Sequence, residues 1–178
     1  MLTAFAAARI PAGAERADDA GELIASMLTA GLDRDAAAWA GVVEPGSLGW
    51  ALIALADPAA GSASDEALDS FAGNDDSEEA RKTALLVAGL AGLERLTADA
   101  ADGYGIDLNR QTRWTRMIDR AAEVENAAMV SLLVGLGMQG ESWSQMTPLH
   151  LYHITSALRR VGLEAEARMI AAEAVARG

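Results

Sequence analysis

The chain has 178 residues, of which 51% are hydrophobic and only 4% aromatic, and its formal net charge is −12. So apolar a chain is not intrinsically disordered, and its length suffices for one domain or two small ones. The negative charge disfavours nucleic-acid binding because phosphate backbones are also negative, and the absence of cysteine excludes disulfides and thiolate ligands.

Alanine and leucine are the most frequent apolar residues and predict helices along the whole chain. The first helix is predicted over residues 1–10. A second begins at Asp19, where Glu22 completes the spacing of a capping box, and it ends at Gly31. A third is predicted to end before Pro45.

Three uncharged runs, 48–56, 84–93 and 127–140, are predicted to be helices that are buried on every side. Their starts are 36 and 43 residues apart, close to the ~34–47 residue periods of helical repeats. Buried helices that alternate with more polar ones predict an all-α fold of stacked antiparallel hairpins, an α-solenoid of about eight to ten helices. An irregular helical bundle is the alternative.

Glycines inside two of these runs predict close helix packing. Gly89 and Gly92 lie in the second run, and Gly135 and Gly137 lie in the third. Each glycine costs ~1 kcal/mol of helix stability relative to alanine. We therefore expect a neighbouring helix to approach closely at these positions.

The charge pattern divides the chain into an N-terminal acidic helical group (1–57), an acidic mobile connection (58–79) and a C-terminal helical-repeat group (80–178). Within the connection there are seven carboxylates and no basic residue. Asp76 and Glu79 are predicted to cap the long helix that follows. We expect the three parts to form one continuous α-helical domain.

The two histidines, His150 and His153, stand at i and i+3 of a predicted helix that Thr147 caps. A zinc site needs three or four ligands, and no cysteine can complete one here. We expect His150 beside the apolar stripe and His153 turned toward solvent or a groove. No catalytic, cofactor-binding or metal-binding residue is predicted.

Glu141 and Ser142 follow the stretch Gly135–Gln139, and together these residues resemble motif fragments of lytic transglycosylases. In that family a glutamate followed by serine is the catalytic acid, although the two fragments occur there in the opposite order. The resemblance implies, as an alternative function, a cell-wall polysaccharide-cleaving enzyme that uses Glu141 as its acid.

A row of arginines is the best candidate binding site. Arg113, Arg116 and Arg120 share one helix face beside Trp114, and Arg110 is predicted to open that helix. Several guanidinium groups on one face of a helix can bind a carboxylate-rich peptide or an anion. They can equally pair with the acidic half of the same chain or face water.

Residues 148–175 predict two amphipathic helices around Gly162. Leu151, Ile154 and Leu158 form an apolar stripe on the first, and small residues at Ala157, Ala167 and Ala174 permit close packing against the second. The pairs Glu164–Arg168 and Glu173–Arg177 are expected on the outer face.

This hairpin resembles a tetratricopeptide repeat unit, although Thr155 and Ala171 depart from the family pattern. The resemblance implies a stack of helical pairs that binds other proteins. We therefore predict a non-catalytic interaction or scaffold module without a cofactor, whose partner is another protein or peptide, with no nucleic acid and no membrane insertion. An acidic inhibitor that masks a basic target is a further alternative.

Overall fold

A computed structural model describes residues 2–140 and 142–178, which form eleven α-helices and no strand. The all-α prediction is therefore confirmed, with one helix more than the upper expected number. The helices are α1 (Leu2–Ala7), α2 (Ala20–Leu28), α3 (Asp33–Ala37), α4 (Leu48–Ala56), α5 (Asp65–Gly73), α6 (Arg81–Gly92), α7 (Ala98–Asp102), α8 (Arg113–Glu123), α9 (Ala127–Gly137), α10 (Pro148–Arg160) and α11 (Glu164–Arg177). None of these helices is long and apolar enough to cross a bilayer.

The central helix is α6, in which every residue from Leu85 to Gly92 is buried. Helices α10 and α11 pack on it as an antiparallel pair, and α4 packs on another side. On one side of this group α2 covers α4 and α1 covers α2, whereas α8 and α9 cover α10 on the other side. One hydrophobic core runs through all these layers.

The last helix returns to the first part of the chain. Helix α11 packs against both α4 and α2, which are far from it in sequence. In a linear stack each hairpin contacts only its neighbours in the chain. The contacts of α11 therefore close the N-terminal helices and the C-terminal hairpin onto each other.

Glycines allow the close approach of helices to α6, as the sequence predicted. A Cβ at Gly89 would lie 3.1 Å from Leu55 of α4 and 3.2 Å from Ala171 of α11. At Gly92 it would lie 2.8 Å from the carbonyl oxygen of Tyr152 on α10. These separations leave no room for a methyl group at Gly92 without a shift of backbone.

The glycines of α9 differ from each other. A Cβ at Gly137 would lie 2.6 Å from the indole of Trp114, so this position also needs a glycine. Gly135, in contrast, is exposed and has no atom within 4 Å of an added Cβ. The prediction of close packing is confirmed at Gly137 and is wrong at Gly135.

Two buried arginines bind the C-terminal end of α4. Arg95 donates from Nη1 to the carbonyl oxygens of Ala54 (2.6 Å) and Leu55 (3.1 Å), and Arg168 donates from Nε to that of Ala56 (3.0 Å). The last carbonyls of a helix lack partners within the helix and carry its negative dipole end, so cations stabilise them. Burial, followed by the charge of Arg168, lowers the pKa of Arg95.

The prediction that Arg168 lies on an outer face is therefore wrong. Its Nη1 does pair with Glu164 (3.2 Å), as the i, i+4 spacing predicted, but the side chain is buried against α4. Arg177 and Glu173 pair at 2.5 Å, and Arg177 is exposed. The difference arises because α11 lies between α4 and α6, and spacing within a helix does not show which side is covered.

Asp75, and not Asp76 or Glu79, holds the start of α6. Its carboxylate accepts from the backbone N–H (2.7 Å) and hydroxyl (2.6 Å) of Thr83 and from both donors of Ser77. Burial raises the pKa of Asp75, but the hydrogen bonds from Ser77 and Thr83 outweigh it, so the pKa lies below its ordinary value. Similarly, Asp19 stands at the N-cap of α2 but makes no capping hydrogen bond through its side chain.

The third uncharged run is not buried on every side. Helices α4 and α6 are largely enclosed, as predicted, but only Val130, Leu133 and Val134 of α9 are buried. Helices α8 and α10 make the main contacts with α9 in the described part of the chain, and Met129, Leu132 and Leu136 on its other side are exposed. An uncharged sequence shows that a helix tolerates burial, but the number of neighbouring helices decides how much of it is covered.

The close approach at Gly92 is testable by substitution. Gly92→Ala should lower the free energy of unfolding by ~1–3 kcal/mol, because the methyl group forces α6 and α10 apart. This is a net loss, because the cost of the added methyl group should exceed the ~1 kcal/mol by which alanine favours a helix over glycine. Urea denaturation monitored by circular dichroism measures the free energy of unfolding of the variant and of the unmodified protein.

Gly135→Ala is the matched control, since the added methyl group meets no atom. It should raise the free energy of unfolding by about 0.5–1 kcal/mol. Stabilisation by both substitutions would show that α6 and α10 are not packed as closely as described.

Candidate partner-binding surface

Helix α8 begins with a capping box that fixes where its arginines lie. The hydroxyl of Thr112 accepts from the N–H of Thr115 (3.0 Å), and that of Thr115 accepts from the N–H of Thr112 (2.8 Å). The helix therefore starts at Arg113. The prediction that Arg110 opens the helix is wrong, because Arg110 lies three residues before it in the preceding segment.

The arginine row, Arg113, Arg116 and Arg120, is exposed along α8, and Arg110 is exposed beside its start. Arg120 pairs with Glu123 at 2.8 Å. Among residues 2–140 and 142–178, no carboxylate forms an ion pair with Arg110, Arg113 or Arg116. Within the described structure, therefore, the carboxylates of the acidic N-terminal half do not pair with these guanidinium groups, which face solvent.

Two of these arginines occupy an electrostatically unfavourable position. Arg113 and Arg116 lie in the first turn of α8, and that turn contains no acidic residue. The N-terminal end of a helix carries a partial positive charge, so a cation there costs ~0.3–1 kcal/mol. The helix end and the arginines together form a positive region that an anionic group would stabilise.

Trp114 does not face the same side as the arginine row. Its indole N–H donates to the carbonyl oxygen of Leu133 on α9 (3.1 Å), and its ring lies edge-on to that of His150 on α10, with 4.9 Å between centroids. It is half-buried and joins α8, α9 and α10. Its indole N–H is thus already engaged within the hairpin.

The two histidines have different surroundings. His153 is only 3% exposed, and its Nδ1–H donates to the carboxylate of Asp119 on α8 (2.8 Å), whereas its Nε2 has no hydrogen-bond partner among the described residues. The prediction that His153 faces solvent or a groove is therefore wrong, because α8 covers this side of α10.

His150 is half-buried, and its Nδ1 is hydrogen-bonded to the Thr147 hydroxyl (2.9 Å). Partial burial, and after it the charge of His153, lower the pKa of His150. No group of three or more histidine, aspartate or glutamate side chains with the geometry of a metal site occurs within the described ranges.

A cleft of about 900 Å³ opens at the end of the α8–α9 hairpin where α9 finishes. Leu136, Gly137 and Met138 form one wall, Trp143 and Met146 form another, and His150 and Arg177 border it. Arg81 fixes the second wall by donating to the carbonyl oxygens of Trp143 (2.7 Å) and Met146 (2.6 Å).

The proposed acid of the alternative function, Glu141, lies outside the described residues. Among the residues that are described, those lining the cleft include no carboxylate. Of the described lining residues, His150 is the one with an imidazole, and its pKa is lowered by partial burial.

Sequence analysis missed an exposed apolar strip on the α8–α9 hairpin. Among the described residues six large apolar side chains are exposed, and five of them belong to this hairpin: Met117, Val124, Met129, Leu132 and Leu136. An uncharged run such as 127–140 fits a fully buried helix and a helix at the edge of a bundle equally well, so the sequence alone does not distinguish them.

No family model, no curated protein and no solved structure matches the chain. The likeness of residues 148–175 to a tetratricopeptide unit therefore stays a prediction from the sequence. The helices α10 and α11 themselves form as predicted around Gly162, which has a φ of 81°.

Reversing the charge of Arg113 tests whether the arginine row serves stability. Arg113→Glu should raise the free energy of unfolding by ~0.3–1 kcal/mol at low ionic strength, since an acidic side chain suits the N-terminal end of α8. Chemical denaturation at low and high salt measures the change, which salt should diminish.

Arg160→Glu is the matched control, because Arg160 is exposed in the last turn of α10. There the reversal should destabilise by a similar amount. Destabilisation by Arg113→Glu would mean that this arginine supports the fold.

Proposed function

We propose that this protein is a non-catalytic interaction module that binds an acidic segment of another protein along the arginine row. The observation that carries the proposal is that Arg110, Arg113 and Arg116 are exposed and form no ion pair within the described structure, although the chain has a net charge of −12. Arginine is well suited to this role, because its planar group forms two parallel hydrogen bonds with a carboxylate.

The position of the row supports binding by more than simple attraction. Arg113 and Arg116 add their charge to the positive end of α8, where they cost stability in the free protein. A carboxylate-bearing partner removes this cost when it binds. Residues that oppose stability yet remain solvent-exposed are characteristic of binding sites.

The strength of exposed ion pairs determines the affinity that we expect. Exposed ion pairs contribute ~0.2–1 kcal/mol each and are screened by salt. Three or four of them give weak binding that depends steeply on ionic strength. Ion pairs with carboxylates would therefore favour acidic partners and speed their association. Tight binding needs a further favourable contact beyond these ion pairs.

Stacked hairpins form the architectural part of this proposal. The hairpins α8–α9 and α10–α11 each have short connections, and α10 packs on both α8 and α9. We propose that these four helices act as two units of a repeat-like stack whose outer face is α8–α9. The return of α11 to α2 and α4 anchors this stack to the rest of the fold.

A synthetic acidic peptide tests the proposal. The probe is a labelled alanine-based peptide of about 15 residues with glutamates spaced three and four residues apart, and fluorescence anisotropy measures its binding at about 50 mM salt. The triple variant Arg113→Ala, Arg116→Ala, Arg120→Ala should bind it about threefold to 150-fold more weakly than the unmodified protein does, since each lost ion pair contributes ~0.2–1 kcal/mol.

The matched control removes three exposed arginines elsewhere: Arg9→Ala, Arg34→Ala and Arg160→Ala. It changes the net charge equally, so it should weaken binding by no more than about twofold through the long-range field alone. Equal losses in both triple variants would contradict the proposal. Equal affinity for the same peptide with glutamine in place of glutamate would contradict it too.

A further inference from the structure

The exposed apolar strip is concentrated where a partner can reach it. Leu132 is 68% exposed, Val124 59% and Leu136 54%, values unusual for large aliphatic side chains gathered on one hairpin. Monomeric proteins seldom leave such residues contiguous on the surface unless they form an interaction site.

Helical geometry places the strip directly beside the arginine row. At about 100° per residue, Met117 on α8 and Val124, which directly follows α8, lie between the arginines and Trp114, which faces α9. On α9, Met129 and Leu136 lie within about 60° of Leu133, the residue that accepts the Trp114 hydrogen bond. Leu132 lies about 100° from Leu133 around the helix axis. The guanidinium groups and the exposed apolar side chains therefore lie on the same hairpin, with Met117 and Val124 nearest to the arginines.

The strip continues into the cleft at one end. Leu136 belongs to both, and beside it the cleft is lined by Met138 and Trp143. Because Gly137 packs on Trp114, this end of α9 lies next to the start of α8, where Arg110, Arg113 and Arg116 are. An apolar side chain of a partner that entered the cleft would therefore lie close to the positive end of the hairpin.

We infer that the partner is an amphipathic α-helix that packs its apolar stripe along the strip and places acidic residues on one edge against the arginine row. This inference rests on the proposed function, since it uses the same arginines. From Met129 to Leu136 the strip extends about 10 Å, which equals two turns of helix. A partner helix with large apolar residues at i, i+3 and i+7 matches that length.

Charge favours this partner over a second copy of the chain. A symmetric dimer through this face would bring two arginine rows into one interface, because the same patch contributes from both subunits. Like charges in one interface oppose association, whereas an acidic edge on the partner pairs with the row. The occupant is thus an acidic helix of another protein.

Three labelled peptides of equal length test the inference by fluorescence anisotropy. The first is the acidic alanine-based peptide described above. The second adds three leucines at i, i+3 and i+7 beside the glutamates. The third carries the same three leucines spread around the helix. We expect the second to bind at least about tenfold more tightly than the others, because only it buries its leucines against the strip.

The variant Leu132→Ser, Leu136→Ser should remove that gain and leave the affinity for the first peptide within about twofold. Phe5→Ser is the matched control, since Phe5 is 58% exposed on α1 and distant from the hairpin, and it should change nothing. Circular dichroism verifies folding, and Leu132→Gln alone serves if the double variant does not fold.

The outcomes separate the two claims. If the first peptide binds through the arginine row but the leucines add nothing, the helical partner is refuted and the proposed function stands. If no acidic peptide binds, both fail. A dimer detected by sedimentation at micromolar concentration that Leu132→Ser dissociates would show that a second copy occupies the strip, and it would overturn the inference.

Discussion

Gly89 and Gly92 allow three helices to approach α6 closely enough for alanine and leucine to fill the core. The first glycine lies against α4 and α11, and the second lies against the backbone of α10. With 4% aromatic residues the chain has few bulky side chains to span wider gaps, so helices must approach closely. The ~1 kcal/mol that each glycine costs in helix stability is offset by the packing that it allows.

The buried arginines extend the consequences of that packing. Once α11 lies against both α4 and α6, Arg168 reaches the end of α4, where Arg95 already binds. Their guanidinium groups satisfy carbonyl oxygens that the core would otherwise leave without partners. The first and last parts of the chain are therefore joined by hydrogen bonds as well as by apolar contacts.

Sequence patterns predicted those features that depend on residues close together in the chain. The helical class, the hairpin around Gly162 and the enclosed helices α4 and α6 follow from composition and periodicity. What depends on the neighbours of each helix was not predictable. Arg168 and His153 are buried because α4 and α8 respectively cover them, and α9 is half exposed because it lies at the edge.

The candidate site divides in the same way. The i, i+3 and i+7 spacing predicted that the arginines share one face of a helix. The predicted start of α8 at Arg110 was wrong, because the capping box of Thr112 and Thr115 starts the helix three residues later. The apolar strip was hidden in the sequence, since a buried helix and a half-exposed one have the same uncharged composition. Its recognition needed the packing of α8 and α10 on one side of α9.

Because α6 is central and the α8–α9 hairpin lies at the edge of the fold, we expect the two to differ in local stability. Native-state hydrogen exchange measures these residue by residue. Amides of Leu86, Val87 and Leu90 in α6 should exchange only through global unfolding, whereas those of Ser131, Leu132 and Leu136 should exchange through openings of lower free energy. Equal protection of both groups would contradict this account.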